Sequence, residues 1–572
     1  MTDPFQHFAA LLLCVALFLG APSYNQAQQF EKEALYEYAE RPDDPYLPVA
    51  RTSMASSPAY RFSGAGITTV QANVDEAGEN ILGDAANEPS IAIDPTNPSR
   101  MIIGWRQFDT VASNFRQAGF AYTTDGGQTW AFPGVIEPGV FRSDPVLDFN
   151  TEGQIYYNSL SSDVSNYFCH VFQSTGDGSW DEGAYAYGGD KQWMAIDRSG
   201  GIGDGHIYAN WKQSFSSCFP GSTTRSSDGG ASFEDCVETW GEPIRGALAV
   251  GPEGELYAFG QQGQSFVIAR STTANDASMP LSWDLLEEVP LGGPIGLYDG
   301  PNPGGMLGQA WVAADHSGGE HHGNVYVLCS VVRDDIGDPL DVMFARSADG
   351  GQNWSAPIRI NDDLPGQAWQ WFGALSVAPN GRIDVIWLDT RLDPGGYGSA
   401  LFYSYSADGG LSWAPNEQLS DLFDPHLGWP NQNKMGDYFH MISDDGGAHL
   451  AWAATFNGEQ DVYYSYITAE PVSSLRQVTP APRLLQNYPN PFRTTTGINY
   501  TLEAPAFVEL NIFNQFGQLV QAADKGKKAA GQHTAAWDGN SPGGGRAPAG
   551  IYYFELYIDG ERAGTGRMVR MD

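Results

Sequence analysis

The chain has 572 residues, with 68 acidic against 30 basic side chains for a net charge of −38, 13% aromatic residues and 68 glycines. That length exceeds one ordinary domain and can bury a large core, while the acidity repels nucleic-acid backbones and anionic membranes, so neither is expected as a partner. Glycine and aromatic residues in short runs, without a long amphipathic helical pattern, imply an all-β chain of strands and turns.

Phe8 to Leu19 is an apolar run that ends near Asn25-Gln26-Ala27. It is too short to cross a bilayer and fits a secretory signal over residues 1–27, although no Lys or Arg precedes it. No other segment reads as a transmembrane helix. Residues 28–60 are polar and irregular and read as a linker, and 60–82 can supply a strand that closes a ring. The charge is uneven: residues 1–482 hold 60 acidic and 21 basic side chains, and residues 483–572 hold 8 and 9. With only seven lysines in the chain, the composition suits either a high-salt habitat or an ordinary acidic secreted protein.

Between residues 83 and 468 a four-stranded unit recurs. Its first strand reads Pro89-Ser90-Ile91-Ala92-Ile93-Asp94, then Val146-Leu147-Asp148, Trp193-Met194-Ala195-Ile196-Asp197 and Ala247-Leu248-Ala249-Val250. It returns as Ala310-Trp311-Val312-Ala313-Ala314-Asp315, Ala374-Leu375-Ser376-Val377 and Tyr438-Phe439-His440-Met441-Ile442. Two copies are visibly kin: Ala195-Ile196-Asp197-Arg198-Ser199-Gly200-Gly201 through Ile207-Tyr208, and Ala313-Ala314-Asp315-His316-Ser317-Gly318-Gly319 through Val325-Tyr326. Seven first strands predict a seven-bladed β-propeller, with six blades as the alternative count.

A turn punctuates the units. Thr124-Asp125-Gly126-Gly127-Gln128-Thr129-Trp130 is matched by turns centred on Asp228, Asp349 and Asp408, each with two glycines and a trailing Trp or Phe. The Asp accepts backbone N–H bonds and the glycines supply positive φ. Spacings of 103, 121 and 59 residues between these Asp residues place degenerate copies at 175–180 and 271–283. This turn resembles the Asp-box, or bacterial neuraminidase repeat, of the sialidase-like propeller superfamily, over about residues 85–467. The resemblance implies that Asp125, Asp228, Asp349 and Asp408 are scaffold, on the face opposite the usual site.

Four cysteines follow the leader. Cys218 and Cys236 are symmetric about Ser227 and face each other across a hairpin, so a disulfide is expected there; Cys169 and Cys329 read as buried thiols. Neither a CxxC pair nor a metal-ligand spacing occurs. The Asp315, His316, His321 and His322 group reads as a solvated turn, no cofactor is expected, and structural calcium has no assignable place.

After a linker at 469–482, residues 483–572 alternate as a small immunoglobulin-like β-sandwich, with strands around 497–502, 508–513 and 549–556. Asn487-Tyr488-Pro489-Asn490-Pro491-Phe492 and the terminal Arg567-Met568-Val569-Arg570-Met571-Asp572 resemble the type IX secretion C-terminal sorting domain, itself close to the immunoglobulin-like domain of flagellar hook-capping proteins. The resemblance implies recognition by outer-membrane secretion and sorting machinery of a Gram-negative bacterium, and a secreted or cell-surface product.

The candidate functional face collects residues entering first strands and leaving second strands. Entering are Glu88, Asp144, Asp190, Lys191, Arg245, Gln309, Gln370, Lys434 and Asp437; leaving are Arg106, Lys212, Asp389 and Arg391. Trp105, Trp193, Trp211 and Trp371 lie beside them. Carboxylates and guanidinium groups beside aromatic platforms suit sugar recognition, and glycan or glycoprotein is the expected ligand. Such residues also suit a plugged channel in which they pair with each other. Sialidase chemistry needs three arginines on a substrate carboxylate, a Tyr nucleophile and an acid. The resemblance puts Arg106, Arg245 and Arg391 in the first role, Tyr438 beside Asp437 in the second and Asp144 in the third. The Phe/Tyr-Arg-Ile-Pro signature is missing; Asn87-Glu88-Pro89-Ser90 stands in its place. Three functions stay open: a glycan-binding module, a sialidase-like glycoside hydrolase, or an adhesive envelope protein. Carboxylates facing each other across an open pocket favour the hydrolase, and a channel plugged by paired charges favours the others.

Overall fold

The computed structural model describes residues 44–468 and 483–571, apart from 65, 163–166, 177, 334–335, 367, 485–486, 503–504, 515–518, 542–544 and 559–560. The signal segment 1–27 and the linker 469–482 lie outside the described residues. The chain divides into two units at Glu470/Pro471.

The first unit is a β-propeller of seven sheets, which settles the count against six. The first strands are Ala85–Ile93, Ser143–Phe149, Trp193–Ile196, Ile244–Val250, Trp311–Ala314, Gln370–Val377 and His440–Ser443, and each pairs antiparallel with its second strand. Each also contacts the first strand of the next sheet, the last returning to the first, so the ring is closed around an axis. Small residues dominate these strands, as in Ala247-Leu248-Ala249-Val250 and Trp311-Val312-Ala313-Ala314, because seven backbones converge there.

The kin segments fold alike. Asp197 N–H donates to His206 O and Asp315 N–H to Asn324 O, both at 2.9 Å, and each Asp side chain then accepts a backbone bond two residues on, from Ser199 and Ser317, at 2.8 Å. The four Asp-Gly-Gly turns are equally regular. Asp125, Asp228, Asp349 and Asp408 each accept the backbone N–H four residues on at 2.9–3.0 Å, and a Ser or Thr hydroxyl two residues back at 2.7–2.8 Å. In two of the turns the second glycine is needed for contact as well as for φ. A Cβ on Gly127 would meet Tyr464 at 2.2 Å, and one on Gly410 would meet Phe344 at 2.5 Å. Both aromatics belong to the preceding blade, so the turn is also a seat for the neighbouring sheet.

Closure of the ring uses the N-terminal part of the unit. Ile67–Gln71 pairs with Asp461–Thr468, from Ile67↔Ile467 to Gln71↔Tyr463, and Arg61–Gly64 adds the outer strand. Residues 44–60 correct the linker reading in part. Asp44 accepts from Asn114 N–H at 2.8 Å, Arg51 lies 3.9 Å from the Phe132 ring centroid, and Tyr60 stacks on Phe456 at 4.2 Å. Cys218 and Cys236 are joined, whereas Cys169 and Cys329 are buried thiols that burial pushes well up in pKa.

The second unit is a sandwich of a five-stranded and a three-stranded sheet around Ile498, Val508, Leu510, Trp537, Phe554 and Met568. Its last strand, Glu561–Arg570, holds most of what the sequence presents as a tail: Phe492 N–H donates to Val569 O at 3.0 Å and Val569 N–H to Asn490 Oδ1 at 2.9 Å.

Candidate functional site

The face where first strands begin is built by one backbone device. In four blades the register shifts at the start of the first strand, and a non-glycine residue there adopts left-handed φ: Glu88 (53°), Asp144 (47°), Arg245 (56°) and Phe372 (54°). Lys191 (58°) occupies the corresponding place before Trp193. Such bulges re-aim side chains, and holding non-glycine residues there costs about 1–3 kcal/mol each. The structure thereby gathers most of the predicted charged residues.

They are paired. Glu88 lies 3.1 Å from Arg106 Nε and 3.7 Å from Lys434 Nζ; Lys434 lies 3.2 Å from Asp437, which also meets Lys191 at 2.8 Å; Lys191 is 3.7 Å from Asp190. Arg245 donates to Gln261 Oε1 at 3.0 Å and flanks Tyr298 together with Lys191 and Asp437. Glu88 and Arg106 are wholly buried, and Asp144, Asp190, Arg245, Lys434 and Asp437 nearly so. Burial pushes the Glu88 carboxyl up, against the pull of Arg106 and Lys434. Three cations, Arg106, Lys191 and Lys434, and three carboxyl groups, Glu88, Asp190 and Asp437, thus pair with one another out of water, the condition under which buried charge is tolerated.

Two insertions seal this end. Asn302 donates to Gly436 O at 2.8 Å and accepts Met435 N–H at 2.8 Å, Gly304 N–H donates to Asn433 O at 2.8 Å, and Met306 N–H donates to Asp437 Oδ1 at 2.9 Å. The proposed catalytic residues lie beneath them. Tyr438 OH donates to Pro145 O at 2.7 Å, and burial with the nearby Glu88 and Asp144 carboxylates raises its pKa. Asp144 accepts from Ser143 Oγ at 2.6 Å. Asp437 turns to Lys191 and Lys434 instead of to Tyr438.

Several expected members are elsewhere. Arg391 binds Asp389 at 2.8 Å and Asp362 at 2.7 Å and lies over Phe402. Arg106, Arg245 and Arg391 are each engaged within the protein, with Glu88, with Gln261, and with Asp389 and Asp362 respectively. Asp389 is committed to Arg391, Gln370 and Trp387. Lys212 rests on Phe215. Trp105, Trp211 and Trp371 are core residues whose indole N–H groups donate to Gln107, Ser216 and Ser399, so Trp371 is no ligand platform.

Trp193 behaves differently. It forms a triangle on the axis with Trp311 and His440: centroids are 5.0 Å apart for Trp193–Trp311, 5.5 Å for Trp193–His440 and 5.8 Å for the stacked Trp311–His440 pair. Tyr438 packs on Trp193 from the sealed side. From the triangle, a cavity of about 380 Å³ runs along the axis between the later halves of the first strands. It opens where those strands end, the same face as the Asp-Gly-Gly turns, with Asp148, Arg198 and His316 around its mouth. The open pocket is therefore at the opposite end from the predicted face. Sequence reasoning passed over Trp311 and His440 as ligands. The usable signal was the shared register of Trp193-Met194-Ala195-Ile196-Asp197, Trp311-Val312-Ala313-Ala314-Asp315 and His440-Met441-Ile442-Ser443-Asp444, which puts a bulky ring on alternate blades. Among the described residues no group of three His, Cys, Asp or Glu could hold a metal ion; His316 Nε2 meets Val250 O at 2.9 Å, and His322 Nδ1 accepts Gly318 N–H.

The FlgD Ig-like domain family matches residues 492–561. No curated protein matches the chain. Among solved structures, a protein of unknown function from Dyadobacter fermentans is 14% identical, over 70% of this chain and 99% of that one, with a TM-score of 0.39. Trypanosoma rangeli sialidase, in complex with the inhibitor DANA, is 10% identical over 87% and 90% with a TM-score of 0.34. The GH93 α-L-arabinofuranosidase of Fusarium graminearum, with arabinobiose, is 12% identical over 71% and 98% with a TM-score of 0.27. These likenesses bear on fold and carry nothing about activity.

Proposed function

We propose that this chain is an exported β-propeller, secreted or displayed on the surface of a Gram-negative bacterium, that binds glycans or glycoproteins without cleaving them. The observation that carries binding over hydrolysis is the state of Asp144 and Tyr438. Both are buried beneath the interlocked insertions, Tyr438 OH is committed to Pro145 O, and Glu88, Arg106, Lys191, Lys434 and Asp437 are engaged with one another. A glycosidase needs its acid and its nucleophile on either side of a bond in an open site. The glycan reading is supported by the Asp-box character of the turns and by an aromatic-floored cavity of ligand size. The type IX reading of residues 483–572 is supported by the motifs at 487–492 and 567–572.

The test pairs a glycan array with a panel of fluorogenic glycosides, both on the recombinant protein. The expected outcome is array binding with no turnover, unchanged by Asp144→Asn. Turnover abolished by Asp144→Asn or Tyr438→Phe would replace this reading with the hydrolase.

A further inference from the structure

The axial cavity has the features of a built site. Its floor is the Trp193, Trp311 and His440 triangle. His440 Nδ1 faces the N–H of Ile91 at 3.3 Å, a group that can only donate, and the hydroxyl of Ser90 at 3.0 Å. Nδ1 is therefore the acceptor, and the neutral ring carries its proton on Nε2. Burial holds the ring neutral, lowering its pKa to about 3. Nε2 makes no hydrogen bond among the described residues and is not closed off from the cavity. It is a donor of fixed tautomer beside two indoles.

The wall adds complementary chemistry. Each first strand pairs within its sheet on one side only, so its other edge turns backbone groups toward the axis; Leu147, Ile196 and Ser443 N–H on that edge already donate to Ser90, Asp148 and Ser376, so carbonyl oxygens make up more of what is left for a ligand. Ala195, Ala247, Ala249 and Ala313 keep the bore open. The mouth carries no uncompensated charge: Arg198 Nη1 lies 2.5 Å from Asp148 Oδ1, its guanidinium covers the Phe149 ring at 4.3 Å, and His316 is held at Val250 O.

We infer that this channel is the glycan site, and that it takes one neutral sugar ring, end-on, from the Asp-Gly-Gly face. A sugar ring offers hydroxyls that both donate and accept, for the strand edges and His440 Nε2–H, and a C–H face for the indoles. A sialic acid would bring a carboxylate to a channel whose lining cation, Arg198, is already paired with Asp148, so the carboxylate would lose water without gaining a free partner. The inference rests on the glycan-binding reading above and adds its place and its sugar class.

The test uses the full chain, with saturation-transfer NMR and calorimetry on methyl pyranosides of glucose, galactose and mannose and on a methyl sialoside. Two variants report on the channel. His440→Phe keeps the ring and removes the donor; Ala313→Phe fills the bore near the mouth and leaves the Ser90 and Ile91 contacts untouched. Thermal melts show that each is folded. At least one neutral glycoside is expected to bind and the sialoside not to. His440→Phe is expected to weaken binding about tenfold or more, the scale of one hydrogen bond to a buried polar group, and Ala313→Phe to abolish it. Array binding that both variants retain overturns the channel site and leaves glycan binding intact. Preference for the sialoside, or no neutral glycoside bound by the parent chain, overturns the inference.

Discussion

Glu88 is a carboxylate with no access to solvent, facing Arg106 on one side and Lys434 on the other. Removing Arg106 leaves Glu88 with only the more distant Lys434, 3.7 Å away, as a buried partner, whereas replacing both members of the pair with neutral groups is close to harmless. Arg106→Met is therefore expected to cost about 3–5 kcal/mol in urea unfolding, and the double change with Glu88→Gln is expected to recover most of that loss. A single variant as stable as the parent would mean that the pair is not desolvated. The positions of Glu88, Asp144, Lys191 and Arg245 were legible because each immediately precedes a recognisable first strand. Their partners were not, because pairing follows ring order: Lys191 meets a residue 246 positions away. Arg391 misled because the end of a second strand lies one strand spacing, about 4.8 Å, farther from the axis, within reach of Asp362 in the connection from the preceding blade.

At the scale of elements, the turn and the seam had different visibility. The Asp-Gly-Gly turns announce themselves because their chemistry is local, complete within seven residues. The seam strand Ile67–Gln71 has no such motif, and its partner is at the other end of the ring. The seam also buries acid. Asp461 accepts from Asn73 at 2.9 Å and Asn457 at 3.2 Å, and Glu459 accepts from Asn80 at 2.9 Å. Burial, reinforced by Glu459, pushes Asp461 up to about 7 from an ordinary 3.8. The folded chain thus holds a proton there that the unfolded chain releases first. Its stabilising contribution is complete below about pH 4 and is lost as pH rises through 7. At about 1.4 kcal/mol per pKa unit, the swing approaches ~4 kcal/mol. Asp461→Asn is expected to flatten this part of the profile, so that the parent's advantage in urea midpoint shrinks from pH 4.5 to pH 8. Parallel profiles would refute the assignment.

At the scale of the molecule, the two units have separate hydrophobic clusters, and their charges differ as their sequences did: strongly acidic before residue 483 and nearly neutral after it. Deleting residues 483–572 is therefore expected to leave the propeller's melting temperature within about 2 °C, a shift equivalent to about 2 kcal/mol for a unit this size. If the type IX reading holds, the deletion also leaves the protein behind the outer membrane. Delivery to the medium or surface without those residues would sink that reading, and fractionation of cells measures it. The fold class was legible here from repetition, while the location of the open pocket was not. It depends on which end of the axis the insertions at 291–308 and 424–437 close, and nothing in their composition announces the Asn302 and Asp437 bonds that hold them.

The closing strand also sets a clock. Thr69 and Ser465 meet at 2.8 Å across 396 residues of sequence. At ribosomal rates of roughly 5–20 residues per second, the first of them waits on the order of 20–80 s before the second exists. Throughout that interval the edge of Ile67–Gln71 has no native mate and the seventh blade has not been made. A partially made ring is thus an open arc with two raw ends, and its last hydrogen bonds form only after its last blade.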